Sequence, residues 1–576
     1  MTRHVPVVAF VVLVLAFLGL MIGAYEAAMT FEFEQSAFLH GAFDWTHGGR
    51  FDSRGPPVGP FQYHHGPVFG VLLGLLMFVS TDPLVLRWLF CGLFACAGGL
   101  LFVMLRRVVS WPVALFAVAT LFFSRFGFEV TRQLWHASLI PVFACGFLFG
   151  AARLLTDDRA PIWSGMVAAV CAAIAVQLHV QAGVFGVLLL GVLVVRWRKI
   201  GTARALGFAG LAALVVLPLV LGFYASATSG AETHRQAYLA RDGAGTLADP
   251  LDVLLFVSSH ARPAWAESTD LLGAPLWLLL VGVGILVTIK ERLAIGWLLI
   301  ANVLIGLALQ LGLFAYALAP RYLHTDMVAF IGLGAIGIGG LIRWLPTVQV
   351  GQVAVGFATV GLVGAAIVTA VPKATPAPLL SGAEQHAIAA VVAPLGISED
   401  QAHGLYVSDV PSLIGMSYFH RAASSGTEVS DTHVLVAPAG LGLRPLSEGE
   451  PTIQHMGNVE VIEFTPAIEP LAVEGPRGPD LLRRWPDRIS APQVDILNTT
   501  ALHTLQTRAR SAGTINVLVR SEPGDARCRV TGTLNGRVIA AETTDHLWTL
   551  HRFPVTPGQL LFEIGPCAGR VFVDVF

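Results

Sequence analysis

The stretch TFEFEQSAFLHGAFDWTHGGRFDSRGPPVGPFQYHHGP, residues 30–67, decides how the rest of this chain is interpreted. It lies between two apolar segments and concentrates acidic, basic and imidazole side chains in a sequence that otherwise has few of them. A loop that only connected two helices would not need so many groups able to move protons and bind polar ligands. The stretch therefore predicts a loop that helps to form an active site on one face of a membrane.

The composition is that of an integral membrane protein. Hydrophobic residues make up 55% of the 576 positions, charged residues make up 13%, and the mean hydropathy is +0.68. The formal net charge of −2 argues against bulk electrostatic binding of nucleic acid. The sequence contains no Walker-type phosphate loop, no dinucleotide-binding fingerprint and no paired CxxC site.

Apolar segments predict about eleven membrane-spanning helices. They lie near residues 5–28, 83–105, 111–124, 134–154, 162–178, 182–195, 203–225, 272–289, 293–315, 322–343 and 348–371. The segment 68–79 is too short to cross and predicts an interfacial or re-entrant helix. With the N-terminus inside, the clusters of lysine and arginine in alternate turns all fall on the cytoplasmic side, and the chain beyond Val371 falls outside.

Ionisable and amide side chains are nearly absent from the middle of the spans and instead gather near their outer ends. These residues are Arg87, Arg132, His136, Gln177, His179, Gln181, Gln310, Arg321, His324 and Asp326. A transport pathway would place such groups at the membrane midplane. The sequence therefore predicts chemistry at the outer face, whereas Asp157 and Asp158 are assigned to a solvated cytoplasmic turn.

The region after the last span predicts two extracytoplasmic domains. Pro372–Pro378 has the composition of a linker, and a capping box at Ser381–Glu384 predicts a helix to about Val392. Residues 373–480 are interpreted as a mixed α/β subdomain and residues 481–576 as a β-sandwich, with Asn535-Gly536 as a hairpin turn. Cys528 and Cys567 could form a disulfide there.

Four groups of residues resemble motifs of the GT-C superfamily of membrane glycosyltransferases, over roughly residues 1–345. This superfamily includes protein O-mannosyltransferases, the lipid A aminoarabinose transferase and the bacterial family-39 or RgtA/B/C/D-like enzymes. The matching segments are Phe31–Ala37 after the first helix, Tyr63–Pro67 at the end of the loop, Arg132–Leu139 together with Gln177–His179, and Pro320–Leu323. The family motif commonly has Asp-Glu where this chain has Phe33 before Glu34.

The resemblance implies that residues 1–372 form a GT-C membrane domain that transfers a sugar from a polyprenyl-phosphate donor with inversion at the anomeric carbon. Glu34 or Glu32 would be the catalytic base that accepts the proton of the acceptor hydroxyl. The leaving phosphate needs cationic or hydrogen-bonding partners. Candidates for substrate binding are His64, His65, Arg132, His136, His179, Arg321 and Tyr322. A divalent metal is compatible with these side chains but is not required by their spacing.

Each candidate also has a purely structural interpretation. Glu32 and Glu34 could be a solvated helix end, His64 and His65 a turn that meets lipid headgroups, and Arg321 with Tyr322 an interfacial anchor. Near Arg132, the residues Arg125 and Glu129 could simply form an ion pair. The long outer connection 225–271, which contains His260, could order over substrate or be an ordinary linker.

The functional prediction is an inverting glycosyltransferase in the bacterial inner membrane, acting at its outer face on a lipid, glycan or protein of the envelope. Its partners would be the polyprenyl-phosphate sugar, the envelope acceptor and membrane lipid, without nucleic acid. The alternatives are a non-enzymatic membrane protein whose β-domain binds glycan or a partner, and a transporter of lipid-linked sugars.

Overall fold

A computed structural model of the chain gives its architecture. It describes residues 4–28, 38–39, 42, 45–46, 55, 64–80, 83–132, 134–228, 254, 257–261, 273–313, 324–344, 347–373, 402–404, 433–438, 444–456, 459–467, 472–474, 494–496, 503–521, 529–534, 537–542, 549–564 and 571–575. The chain divides into two compact units, Met1–Met29 with Gly41–Leu379 and Thr30–His40 with Leu380–Phe576. The division into domains at residues 372 and 480 stays a prediction.

The described part of the first unit is helical. Its helices are α1 (Val5–Ala28), α2 (Val68–Met77), α3 (Pro83–Leu105), α4 (Trp111–Phe123), α5 (Arg125–Arg132), α6 (Ile140–Thr156), α7 (Ile162–Leu178), α8 (Gly183–Ile200), α9 (Thr202–Thr228), α10 (Gly273–Glu291), α11 (Ala294–Leu313), α12 (Met327–Trp344) and α13 (Val348–Lys373). Short 3-10 helices precede α6 at His136–Leu139 and α8 at Val180–Ala182.

Six described segments are long and apolar enough to cross a membrane. They are Val85–Leu105, His136–Thr156, Val180–Ile200, Thr202–Tyr224, Met327–Trp344 and Val348–Ala366. Five shorter apolar helices accompany them among the described residues. The protein is therefore a multi-pass membrane protein, and the count of about eleven spans stays a prediction.

Local sequence determines where these helices begin and end. Pro112 and Pro141 stand in the first turns of α4 and α6. Backbone N–H groups there have no acceptor within the helix, so proline, which lacks this group, costs no helical hydrogen bond. Ser124 ends α4 and caps α5, because its Oγ accepts a hydrogen bond from the Gly127 N–H at 3.1 Å. Gly201 ends α8 with a φ of +83°, a conformation that favours glycine.

The core of the helical unit lies around α12 and a group of phenylalanines. The span of α12 is 78% buried, whereas those of α9 and α13 are 11% buried each, so α12 is central and the other two are peripheral. Phe17 stacks on Phe122 with ring centroids 4.4 Å apart, which fixes α1 against α4. α10 and α12 approach so closely that a Cβ on Gly337 would meet the Leu280 carbonyl oxygen.

The described part of the second unit contains three sheets. Strands β1 (Ala402–Gly404), β2 (His433–Pro438), β3 (Thr452–Met456) and β4 (Val459–Phe464) form a mixed sheet in the order β1-β2-β4-β3. The remaining strands are β5 (Ala472–Glu474), β6 (Val494–Ile496), β7 (His503–Ala509), β8 (Gly513–Ser521), β9 (Arg529–Leu534), β10 (Arg537–Glu542), β11 (Thr549–Val555), β12 (Gly558–Ile564) and β13 (Val571–Val575). They form two antiparallel sheets, β10-β9-β12-β7-β5 and β11-β8-β13-β6.

The register confirms the hairpin predicted at Asn535-Gly536. Leu534 in β9 pairs with Arg537 in β10, which leaves two residues for the connection. The helix predicted from residue 381, Cys528 and Cys567 lie outside the described residues, and the β-sandwich stays a prediction.

Candidate active site

The structure describes four of the predicted site residues in full. These are His64, His65, His136 and His179. The backbone of Arg132 closes α5, but its side chain lies outside the described part of the chain. Glu32, Glu34, Arg321 and Tyr322 also lie outside it, so their roles stay predictions.

Three of the predicted histidines form one cluster, called the histidine cluster below. The ring centroid of His65 lies 4.8 Å from that of His136 and 5.0 Å from that of His179. The rings of His136 and His179 are stacked at 6.2 Å with an interplanar angle of 9°. All three side chains are buried. Residues from three separate parts of the sequence therefore meet at one place.

Backbone hydrogen bonds hold His65 in the cluster. The Gly55 N–H donates to the His65 carbonyl oxygen at 2.9 Å, and the Gly66 N–H donates to the Gln177 carbonyl oxygen at 3.0 Å. The neighbouring His64 places its Nδ1 2.8 Å from the Gly55 carbonyl oxygen. The end of the loop is thereby attached to the last turn of α7.

Gly66 is required by this close approach. A Cβ at position 66 would overlap the side chain of Gln177, with Cβ and Cδ of Gln177 both 2.8 Å away and its Oε1 closer still. Gly55 is confined in the same way, because a Cβ there would overlap the backbone of His65 and Gly66. These glycines serve close packing of the loop against α7.

Helix termini position the other two histidines. His136 opens the 3-10 helix that leads into α6, and the extended backbone of Trp135 precedes it. His179 follows the last residue of α7 with a φ of −159°, and its Nδ1 accepts a hydrogen bond from the Gln181 N–H at 3.3 Å. Nδ1 of His179 is thus an acceptor, which leaves the proton of the neutral ring on Nε2.

The position of His65 in the cluster favours a neutral imidazole at that residue. Burial lowers the pKa of His65 well below its usual range, and the nearby His136 and His64 add to the effect. A neutral imidazole can donate one hydrogen bond and accept another without carrying charge into a buried site. His65 is therefore suited to hydrogen bonding rather than to forming an ion pair.

Several buried polar atoms in this region have no hydrogen-bond partner among the described residues. They are His65 Nδ1, Trp135 Nε1, Gln177 Oε1 and Gln181 Nε2. Buried polar atoms in folded proteins nearly always have a partner, so a group of such atoms indicates bound water or a polar ligand. The four atoms include both hydrogen-bond donors and acceptors.

Sequence reasoning missed two aromatic contributors to this site. Trp135 lies edge-on to His136 with centroids 4.9 Å apart, and His324 lies 6.4 Å from Trp135. The ring centroid of Phe126 on α5 lies 5.6 Å from that of His324. His324 was noted as an outer-end residue but was not assigned to the site. The sequence signal for Trp135 was its place inside the matching segment Arg132–Leu139, directly before His136.

Glu129 makes the ion pair with Arg125 that was considered for it, and its second carboxylate oxygen lies near His260. Its Oε1 accepts from Arg125 Nε at 3.0 Å, and its Oε2 lies 3.9 Å from Nε2 of His260. His260 is 2% exposed, so this part of the long connection 225–271 packs onto α5. Sequence reasoning could not choose between an ordered and a mobile connection here.

A second polar cluster lies at the opposite end of α6. Asp157 accepts hydrogen bonds from Arg107 at 2.6 Å and Arg153 at 3.0 Å, and Asp158 pairs with Lys199 at 2.5 Å. The hydrogen bond from Arg107, followed by that from Arg153, lowers the pKa of Asp157 to about 2 despite partial burial. Between His136 and this cluster lie the 3-10 helix and the 17 residues of α6, and α6 alone is about 25 Å long. Ion pairing accounts for these two aspartates.

The described residues contain no group of three or more histidine, cysteine or acidic side chains arranged to hold a metal ion. Glu32 and Glu34 lie outside the described residues, so a metal held by these carboxylates stays a prediction.

Solved structures share this fold over most of the chain. ArnT from Cupriavidus metallidurans bound to undecaprenyl phosphate is 10% identical with a TM-score of 0.53, and the match covers 80% of this chain and 98% of that one. The same protein in the apo state has a TM-score of 0.51 at 10% identity, with 79% and 97% covered. No family model and no curated protein matches the sequence. The chain therefore has the fold of ArnT over most of its length, in agreement with the fold that the motif resemblance implied.

Proposed function

We propose that this protein is an inverting glycosyltransferase that moves a sugar from a polyprenyl-phosphate carrier to an envelope acceptor. One observation carries the proposal: His65, His136 and His179 converge at one end of the helices, beside buried polar atoms that lack partners among the described residues. The fold shared with ArnT, which was solved with undecaprenyl phosphate, supports this class of donor.

The proposed reaction exchanges one carbon–oxygen bond for another. The acceptor oxygen attacks the anomeric carbon from the side opposite the phosphate, and the bond from that carbon to the phosphate oxygen breaks. The polyprenyl phosphate leaves with the electron pair, and the carboxylate of Glu34 or Glu32 takes the acceptor proton. A general base of this kind contributes on the order of 100- to 10,000-fold in rate.

The residues around the histidine cluster would bind the donor phosphate and the sugar. Neutral imidazoles and the Trp135 N–H can donate hydrogen bonds to phosphate oxygens as negative charge develops there. Arg132 and Arg321 would supply the positive charge that favours departure of the phosphate, and Tyr322 and His64 would complete the site. His65 is suited to a donor role because burial favours its neutral form.

The location of the reaction is part of the proposal. The chain would lie in a bacterial inner membrane with the histidine cluster at the outer face and the cluster of Asp157 with Arg107 at the cytoplasmic face. The unit that contains the three sheets would then be extracytoplasmic, where it could orient the acceptor. Separation of the two polar clusters by the length of α6 supports opposite membrane faces.

The test uses purified protein in lipid with a panel of undecaprenyl-phosphate sugars and a cell-envelope extract as acceptor. Release of undecaprenyl phosphate is compared between wild type, Glu34→Gln and Glu32→Gln. We expect acceptor-dependent release that one of the two substitutions abolishes while folding and expression persist. Each substitution replaces a base with an amide of the same shape, so the comparison isolates proton transfer.

Equal release by all three proteins would reject both carboxylates as the base. Tight glycan binding by the full chain without transfer from any donor, unaffected by Glu34→Gln or Glu32→Gln, would favour the non-enzymatic alternative. Movement of intact donor across the bilayer would favour a transporter.

A further inference from the structure

The turn His324–Asp326 before α12 contains a carboxyl group that the proposed reaction does not use. Asp326 is 1% exposed, and the neighbouring Thr325 is 2% exposed. Among the described residues of the helical unit, Asp326 is the one acidic side chain that is fully buried. Burying a carboxyl group is costly unless hydrogen bonds compensate for the lost water, so such a group requires a physical explanation.

α11 forms a specific cradle for this carboxyl group. Asn302 is completely buried, and its Nδ2 donates to the Thr325 carbonyl oxygen at 3.1 Å and to Asp326 Oδ1 at 3.2 Å. Gly306 lies one helical turn further along, and a Cβ there would overlap the Asp326 carboxyl group. Position 302 therefore supplies a hydrogen-bond donor, and position 306 supplies space.

The cradle is connected to the histidine cluster through aromatic contacts. His324 belongs to the same turn as Asp326, and its ring contacts Trp135 and Phe126. Trp135 in turn contacts His136, which is a member of the histidine cluster. A change in the cradle that shifts the turn would therefore move His324 relative to Trp135.

We propose that Asp326 is a positioning residue of the site, held by Asn302 in the space left by Gly306, and that it places His324 against Trp135 beside the histidine cluster. The expected effect of Asp326 on catalysis rests on the proposed function. The structural link from Gly306 through Asp326 to Trp135 does not depend on it. Asp326 itself takes no part in proton transfer in this account.

The spectroscopic test measures the fluorescence of Trp135, obtained as the difference between each protein and its Trp135→Phe counterpart. The ring of His324 lies against that of Trp135, so replacing this imidazole in His324→Gln should change the emission of Trp135. The size of that change defines the contribution of His324 to the Trp135 emission. We expect Gly306→Ala and Asp326→Ala to remove the same contribution.

Matched variants separate positioning from general damage. Gly282→Ala is the control for Gly306→Ala, because a Cβ at Gly282 on α10 meets nothing within 4 Å. Asp326→Asn keeps an oxygen that can accept from Asn302, so it should keep both the fluorescence response and the activity. If Asp326→Ala does not fold, the comparison of Gly306→Ala, Gly282→Ala and Asp326→Asn still decides the question.

Activity provides the second measurement. A displacement of about 1 Å in a catalytic site costs on the order of 100-fold in rate, so Gly306→Ala should lower kcat by about 10- to 100-fold. If Gly306→Ala folds and keeps either the Trp135 emission or the kcat of wild type, the positioning role is overturned. A loss in Asp326→Asn as large as that in Asp326→Ala would also overturn it. Absence of transfer by wild type, with the fluorescence link intact, would instead count against the proposed function.

Discussion

Gly66 gives the sharpest test of how the loop is held at the site. Gly66→Ala places a methyl group against Gln177, whose Cβ and Cδ would both lie 2.8 Å away, so the loop must move off α7. Overpacking of this kind costs about 1–3 kcal/mol. The same movement stretches the hydrogen bond from the Gly66 N–H to the Gln177 carbonyl oxygen, now 3.0 Å long. His65 would be carried away from His136 and His179.

The assay compares Gly66→Ala with Gly70→Ala, four residues further along in α2. A Cβ at Gly70 meets nothing within 4 Å, so that variant should match wild type in thermal stability and in turnover. Gly66→Ala should unfold at lower temperature and lose on the order of 10- to 100-fold in transfer rate, because the displacement reaches the site.

A double variant identifies the clash as the cause. Gln177→Ala removes two of the three closest atoms, Oε1 and Cδ, and leaves Cβ in place. Combined with Gly66→Ala, it should therefore restore part of the stability that Gly66→Ala loses, so the two effects will not add. Equal behaviour of Gly66→Ala and Gly70→Ala would refute the reasoning.

Two other predictions follow from the buried and paired ionisable groups. Burial lowers the pKa of His65 in the folded state, so on acidification the unfolded chain binds a proton at His65 before the folded chain does. The free energy of unfolding should therefore fall as the pH drops below about 6.5, by at most about 1.4 kcal/mol per pH unit. Between pH 5 and 7, the unfolding temperature of His65→Gln should change less with pH than that of wild type. The same pH dependence in both proteins would contradict this prediction. Asp157→Asn weakens the ion pairs with Arg107 and Arg153 and should destabilise the fold by about 1–2 kcal/mol at neutral pH after allowance for solvent screening. The pKa of Asp157 is lowered to about 2, so the difference in free energy of unfolding between wild type and Asp157→Asn should be present above pH 4. It should disappear as the pH falls towards 2. The transfer activity of Asp157→Asn at neutral pH should equal that of wild type.

The helices could be predicted from sequence because long apolar segments end at clear signals. The bounds of α1, α3 and α7 match the predicted segments. α6 begins at Ile140 rather than at 134, because the extended Trp135 and the 3-10 helix from His136 occupy the intervening residues. α12 begins at Met327 rather than at 322, because the preceding turn is held on Asn302 instead of continuing the helix.

The shared location of the histidines could be predicted, but their contacts could not. His65 and His136 precede the N-termini of α2 and α6, and His179 follows the C-terminus of α7. Because successive helices alternate in direction, sequence order alone predicts all three on the same membrane face. Contact between their rings depends on how α2, α6 and α7 pack, and the close approach at Gly66 is invisible in the sequence. The same applies to His260, whose burial against α5 arises from packing between distant segments.

The measurement that tests the central claim most directly is the stoichiometry of transfer by wild type in lipid. Labelled sugar appearing on the envelope acceptor is counted against undecaprenyl phosphate released, and the anomeric configuration of the product is determined. The account predicts one sugar transferred for each carrier phosphate released, with the configuration inverted. Carrier phosphate released with free sugar and no labelled acceptor, or a product with retained configuration, would contradict it.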